Sequence, residues 1–138
     1  MELKLFLIND IQDTSKIYIF GTNRTGKTTI IKNILNSHTN YPAHGNSRSC
    51  KDYEKQNNQL LHFDYFNNDQ ITVLNDFYNK IKSIYFYKKN YPKIYNNNSF
   101  LVIDNALEPI TLNDYTLTNI FYKAKLLKTN IIISEIVH

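Results

Sequence analysis

The run Gly21-Thr22-Asn23-Arg24-Thr25-Gly26-Lys27-Thr28 has the residue types and spacing needed to hold a polyphosphate. It matches the P-loop pattern of Gly, four residues, then Gly-Lys-Thr. Gly21 permits the sharp turn out of a strand, and Thr22 to Thr25 form a loop whose backbone N–H groups face the anion. Gly26 admits a close backbone approach that a side chain would obstruct. Lys27 supplies a compact cation for the β- and γ-phosphates. Thr28 offers an oxygen to Mg²⁺, and Thr29 continues the phosphate-binding turn. The helix that starts here aims its unsatisfied N–H groups at the same anion. Gly occurs three times in the chain, and two of the three fill the two fixed glycine positions, which makes a chance match a poor account.

Such a site needs a second oxygen ligand for the metal, delivered from the end of another strand. Asp104 follows Phe100-Leu101-Val102-Ile103, an apolar run, and ligands of open α/β sheets bind at the carboxyl ends of strands. Hydrolysis also needs a group that orients water. The residue after Asp104 is Asn105, which can orient water but is a poor base. Glu108 and Glu135 are the carboxylates that could take that role. The candidate catalytic set is therefore Lys27, Asp104 and Glu135, with Thr28 and Asp104 as Mg²⁺ ligands.

These residues must be positioned by alternating strands and helices. Leu3 to Ile8 reads as a leading or edge strand and Lys16 to Phe20 as a buried strand. Gly26 to Asn36 reads as a helix, with Ile30, Ile31, Ile34 and Leu35 on one face. Asn40 to Asn58, with Pro42, Gly45, Ser47 and Ser49, reads as an exposed loop. Gln59 to Phe66 reads as a strand. Ile71, Leu74, Phe77, Tyr78, Ile81 and Tyr85 recur every three or four residues, so a long helix is expected to about Lys89. Tyr91-Pro92 and Asn96 to Asn98 break it. Ser99 to Asp104 is the next strand. Asn113 or Asp114 could cap a helix burying Leu117, Ile120, Phe121, Ala124 and Leu127. Asn130 to Val137 is a final strand. The expected fold is α/β, a mostly parallel sheet of about four or five strands with helices on both faces, the P-loop NTPase architecture.

The chain has 138 residues, consistent with one domain spanning 1–138. Its net charge is +4, which suits a polyanionic partner without being the dense basic stripe of a dedicated nucleic-acid binder. Cys50 is the only cysteine, so an internal disulfide is excluded. The apolar run near the N-terminus is too short for a signal peptide or a membrane span, so a cytoplasmic protein with no membrane partner is expected. His38, His44, His62 and Cys50 form no metal-binding spacing and read as loop and surface residues.

The order of these pieces resembles the DNA-packaging ATPases of poxviruses and other large DNA viruses, in the HerA/FtsK branch of P-loop ATPases. The local match is Ser99-Phe100-Leu101-Val102-Ile103-Asp104-Asn105, then a helix carrying Thr118 to Lys125, then Thr129-Asn130-Ile131-Ile132-Ile133-Ser134-Glu135. The resemblance implies ATP and Mg²⁺ as cofactors, with Gly21 to Thr28 on the nucleotide and Asp104 on the metal. It puts Lys125 at a basic position after the metal strand and Ser134 or Glu135 near a polar sensor. It departs from the family where Ala124-Lys125-Leu126 replaces Gly-Arg-His and where Asn105 replaces the usual second acid. It also implies coupling of hydrolysis to movement of double-stranded DNA, a homo-oligomeric ring, and a place in host cytoplasm or virion. Lys80, Lys82, Lys88, Lys89 and Lys93, with Tyr85 and Tyr87, could form the DNA patch, although charges on a helix are more often a solvated face. Arg48 is a weak candidate for a finger reaching a neighbouring site. A nucleotide-binding domain without turnover stays open as an alternative. A nucleotide kinase is disfavoured, because Arg24 and Arg48 are the only arginines available to clamp two substrates.

Overall fold

The structure, a computed structural model, describes residues 16–21, 26–47, 50–53, 61–65, 72–95, 98–106 and 115–136. Five strands are described: β1 (Lys16–Gly21), β2 (Ala43–Ser47), β3 (Leu61–Asp64), β4 (Ser99–Ala106) and β5 (Thr129–Ile136). They form one sheet in the order β1-β5-β4-β2-β3. Every pairing is parallel. The helices are α1 (Lys27–Asn36), α2 (Thr72–Asn90), the one-turn α3 (Pro92–Tyr95) and α4 (Tyr115–Leu126), and a 3-10 turn, Cys50–Tyr53, follows β2. The expected α/β fold with a parallel sheet is what forms.

Side-chain alternation along each strand divides the interior into two layers. On one face, Ile31, Ile34 and Leu35 of α1 pack on Ala43, Phe100, Val102 and Ile132. On the other, Phe77, Ile81 and Ile84 of α2 and Ile120 and Ala124 of α4 pack on Leu101, Ile103, Ile131 and Ile133. The central strands β4 and β5 are apolar in both directions because both their faces are covered. This is why they read as continuous runs rather than as alternating patterns.

The helix boundaries follow local chemistry. The α1 backbone ends where Ser37 donates its N–H to the Asn33 and Ile34 carbonyls, and the Ser37 hydroxyl also bonds the Asn33 carbonyl. Helix α2 stops at Asn90, two residues before Pro92, whose ring fits the first position of α3.

One segment departs from the sequence reading. Ala43 to Ser47 is a buried strand between β4 and β3, where Asn40 to Asn58 reads as an exposed loop. The sequence Ala-His-Gly-Asn-Ser has neither a bulky run nor β-branched residues, so it carries no strand signal. Its small residues are a packing requirement. A Cβ on Gly45 would lie 2.4 Å from the Val102 carbonyl oxygen and 2.6 Å from a ring carbon of Phe63. Glycine here marks close approach of neighbouring strands, not a turn. The Leu3 to Ile8 strand and the Asn113 or Asp114 cap lie outside the described residues.

Candidate functional site

The site forms where the carboxyl ends of β1, β2, β4 and β5 meet the N-terminus of α1. Because the sheet is parallel, β1 ends at Gly21 beside the ends of its neighbours. Alternation then decides which side chains face α1. Phe100 and Val102 of β4 belong to the α1 layer, and so does Asp104, two residues further on.

Asp104 is fully buried. Its Oδ2 accepts hydrogen bonds from the hydroxyls of Thr28 at 2.8 Å, Ser47 at 3.2 Å and Tyr53 at 2.6 Å. Its Oδ1 accepts one from the Ser134 hydroxyl at 2.7 Å. Four separate segments thus converge on one carboxylate. A buried carboxylate is costly unless it is satisfied in this way. The β4 strand is irregular at this point. Ile103 pairs with Ile133 and Ala106 with Glu135, so β4 carries one extra residue against β5. Such a bulge bends the strand and re-aims its side chains, and Asp104 and Asn105 occupy it.

Gly26 precedes α1 with φ 82°, in the left-handed region that glycine adopts without strain. Among the described residues a Cβ at Gly26 would meet nothing within 4 Å, so its φ by itself favours glycine there. Lys27, the first residue of α1, is buried, and its Nζ donates to the Gly21 carbonyl at 3.1 Å. The ammonium thus reaches from the start of α1 to the end of β1. Thr28 is half-buried and Thr29 exposed in the same first turn.

The arrangement suits a divalent metal. Thr28 gives its hydroxyl proton to Asp104, and a hydroxyl oxygen can also serve a cation through its lone pairs. The Asp104 carboxylate supplies a negative charge beside it. Both are hard oxygen donors of the kind Mg²⁺ takes, usually in company with waters and phosphate oxygens.

The structure brings together Gly21, Gly26, Lys27, Thr28 and Asp104, and it places Ser134 directly against Asp104. Thr22, Asn23, Arg24, Thr25, Arg48 and Glu108 lie outside the described residues. The backbones of Asn105 and Glu135 are in β4 and β5, with Glu135 in register with Phe20 of β1, but their side chains are outside the description. Lys125 is exposed in the last turn of α4, the helix that packs on the face away from α1. Two members of the carboxylate cluster, Ser47 and Tyr53, escaped the sequence reading. Both lie in the stretch Asn40 to Asn58, whose composition reads as a loop. The one available signal was the small-residue alternation Ala43, Gly45, Ser47.

The supposed DNA patch is thinner than its sequence suggests. Lys80 is buried and pairs with Asp64. Tyr87 is half-buried and stacked on His62 and Tyr95. Lys88 bonds the Tyr95 carbonyl at 3.4 Å, and burial, with Lys128 nearby, brings its pKa down to about 8. Lys82, Lys89, Lys93 and Tyr85 remain exposed. His44, expected on a loop surface, is buried in β2 with its Nε2 sharing a 2.9 Å hydrogen bond with the Tyr95 hydroxyl. No helix among the described residues is long and apolar enough to cross a membrane.

No family model and no curated protein sequence matches the chain. Solved structures do resemble it. The genome packaging NTPase B204 from Sulfolobus turreted icosahedral virus 2, in complex with AMP, superposes with a TM-score of 0.60 at 14% identity, covering 91% of this chain and 67% of that one. The same NTPase with AMPPCP gives 0.59 at 14% identity over 91% and 66%. With ATP-gammaS it gives 0.57 at 15% identity over 90% and 65%. The chain therefore spans about two thirds of the length of these neighbours and shares the fold of a viral genome packaging NTPase.

Proposed function

We propose that residues 1–138 form one P-loop NTPase domain that binds ATP with Mg²⁺, of the viral genome-packaging type in which hydrolysis drives movement of double-stranded DNA. The observation that carries this reading is the 2.8 Å contact between Thr28 and Asp104, side chains 76 residues apart in sequence. Two distant stretches of the chain, each expected in one metal site, meet at one point. The fold shared with a packaging NTPase that binds AMP, AMPPCP and ATP-gammaS supports the same reading.

In this reading the backbone of Gly21 to Thr28 wraps the phosphates, and Thr29 continues the turn. Lys27 exchanges the Gly21 carbonyl for phosphate oxygens. Thr28 and Asp104 hold Mg²⁺, which would neutralise charge on the β- and γ-phosphates. Ser134 keeps Asp104 in place, and Glu135, at the end of β5, orients the attacking water. Lys82, Lys89 and Lys93 would meet DNA phosphates without reading sequence. Ring assembly would bring a neighbour's residues to the site.

Lys27→Ala should abolish Mg²⁺-dependent ATP binding in calorimetry, and unchanged binding would sink the proposal. Asn105 favours a second reading, a nucleotide-binding domain without turnover. Measuring ATP turnover with and without double-stranded DNA at low salt separates the two, since DNA-stimulated turnover excludes the second.

A further inference from the structure

Tyr53 has no place in the P-loop pattern, yet it makes the shortest of the four hydrogen bonds to Asp104. Its hydroxyl donates to Oδ2 at 2.6 Å, and the residue is only 4% exposed. It stands on the 3-10 turn Cys50–Tyr53 that leaves β2. Its ring lies flat on Phe63 of β3, with centroids 4.1 Å apart and planes 7° from parallel. A ring held this way has little freedom, so its hydroxyl is a fixed donor.

The distribution of donors has a consequence. A carboxylate oxygen has two lone-pair directions. Three hydroxyls already crowd Oδ2, whereas Oδ1 receives the Ser134 hydroxyl alone among the described residues. The carboxylate cannot rotate without losing bonds on both sides. Its remaining acceptor capacity is therefore aimed in one direction. Thr28 shares Oδ2 with Tyr53, so the phenol also helps set where the threonine oxygen sits relative to the carboxylate.

We infer that Tyr53 is a positioning residue for the metal site, holding Asp104 and Thr28 in the geometry that couples Mg²⁺ to nucleotide binding. The inference rests on the P-loop reading above. Tyr53 would act through Asp104, whose carboxylate it donates to. Through Phe63 it ties the edge strand β3 to the metal carboxylate, a link that the sequence pattern of such sites does not contain. Hydrogen-bond partners of metal-binding carboxylates commonly change metal affinity by about 10- to 100-fold when removed.

The test is calorimetry of ATP binding to the wild-type chain and to Tyr53→Phe, each in EDTA and in saturating Mg²⁺. The ratio of the two affinities measures the coupling between metal and nucleotide. Tyr53→Phe keeps the ring on Phe63 and removes only the hydroxyl. Its ratio should fall by about tenfold, with the EDTA affinity unchanged. An unchanged ratio overturns the inference, and so does a parallel loss of both affinities, which would mark a merely structural residue. Phe63→Leu loosens the ring without touching the hydroxyl. It should lower the ratio by a smaller factor, and it decides the matter if Tyr53→Phe fails to fold. Absence of ATP binding by the wild-type chain would remove the P-loop reading together with this inference. A failure at Tyr53 alone would leave that reading intact.

Discussion

Strand β2 presents two chemically different faces only one residue apart. Toward α1 it shows Ala43, Gly45 and Ser47, and toward α2 it shows His44 and Asn46. The first face is small and ends on a hydroxyl aimed at a charge, Asp104. The second is large and polar. His44 stacks on His62 with centroids 4.6 Å apart and bonds Tyr95, while Tyr87 packs against both histidines. Nearby, Asp64 of β3 pairs with Lys80 of α2, and the Asn46 side-chain amide donates to the Tyr65 carbonyl. On the α1 face four hydroxyls serve one carboxylate and leave it oriented. On the α2 face polar groups largely satisfy one another in pairs. The first arrangement gathers donors from separate segments on one group, and the second holds the edge of the sheet to its helix.

The largest effect should come from enlarging the small face. Gly45→Ala puts a methyl group against the Val102 backbone, which cannot move aside without disturbing the central ladder. A loss of about 3 kcal/mol is expected, the upper end of overpacking costs, measured by denaturant unfolding. A near-neutral result would mean that β2 does not lie this close to β4.

The polar face should show itself in pH dependence. Burial, then the neighbouring His62 and Lys80, push the His44 pKa down to about 3. His62 is lowered as well, first by burial and then by Lys80, with Asp64 opposing. In the unfolded chain both histidines return to near 6.5. The unfolded state therefore binds more protons below that pH, and stability falls as pH drops from about 6.5 toward 3. The His44 share approaches about 1.4 kcal/mol per pH unit in that window. His44→Gln cannot titrate and can still meet the Tyr95 hydroxyl, so its unfolding free energy should vary less with pH. Equal slopes in the two proteins would place His44 in water.

The smallest effect belongs to the ion pair at the margin of the same face. Lys80 is 9% exposed in its side chain, but Asp64 is 74% exposed. Water screens the pair, so Asp64→Asn should cost no more than about 1 kcal/mol, and less at high salt. A larger loss would make this pair part of the core that holds β3.

The elements that were legible in the sequence share one property, which is that their signal is local. Helix α2 announces itself through apolar spacing, β4 and β5 through bulky runs that both layers need, and Gly26-Lys27-Thr28 through a motif whose glycine supplies a positive φ. Strand β2 was illegible because its residues answer to neighbours rather than to their own propensities. Gly45 is a turn former by habit and a packing residue here, since Val102 and Phe63 occupy the space its side chain would take. Lys80 and Tyr87 read as surface residues because periodicity does not reveal that Asp64, His62 and Tyr95 wait across the gap.

By itself, the sequence determined the α/β alternation, the candidate phosphate loop and the candidate metal carboxylate, because backbone conformation and burial pattern are written in short stretches of chain. Tertiary structure alone decided the company that Asp104 keeps. Ser47, Tyr53 and Ser134 lie 57, 51 and 30 residues from it. They meet it because parallel strands bring their carboxyl ends to one edge and alternation turns them to one face. A bulge then fixes the carboxylate among them.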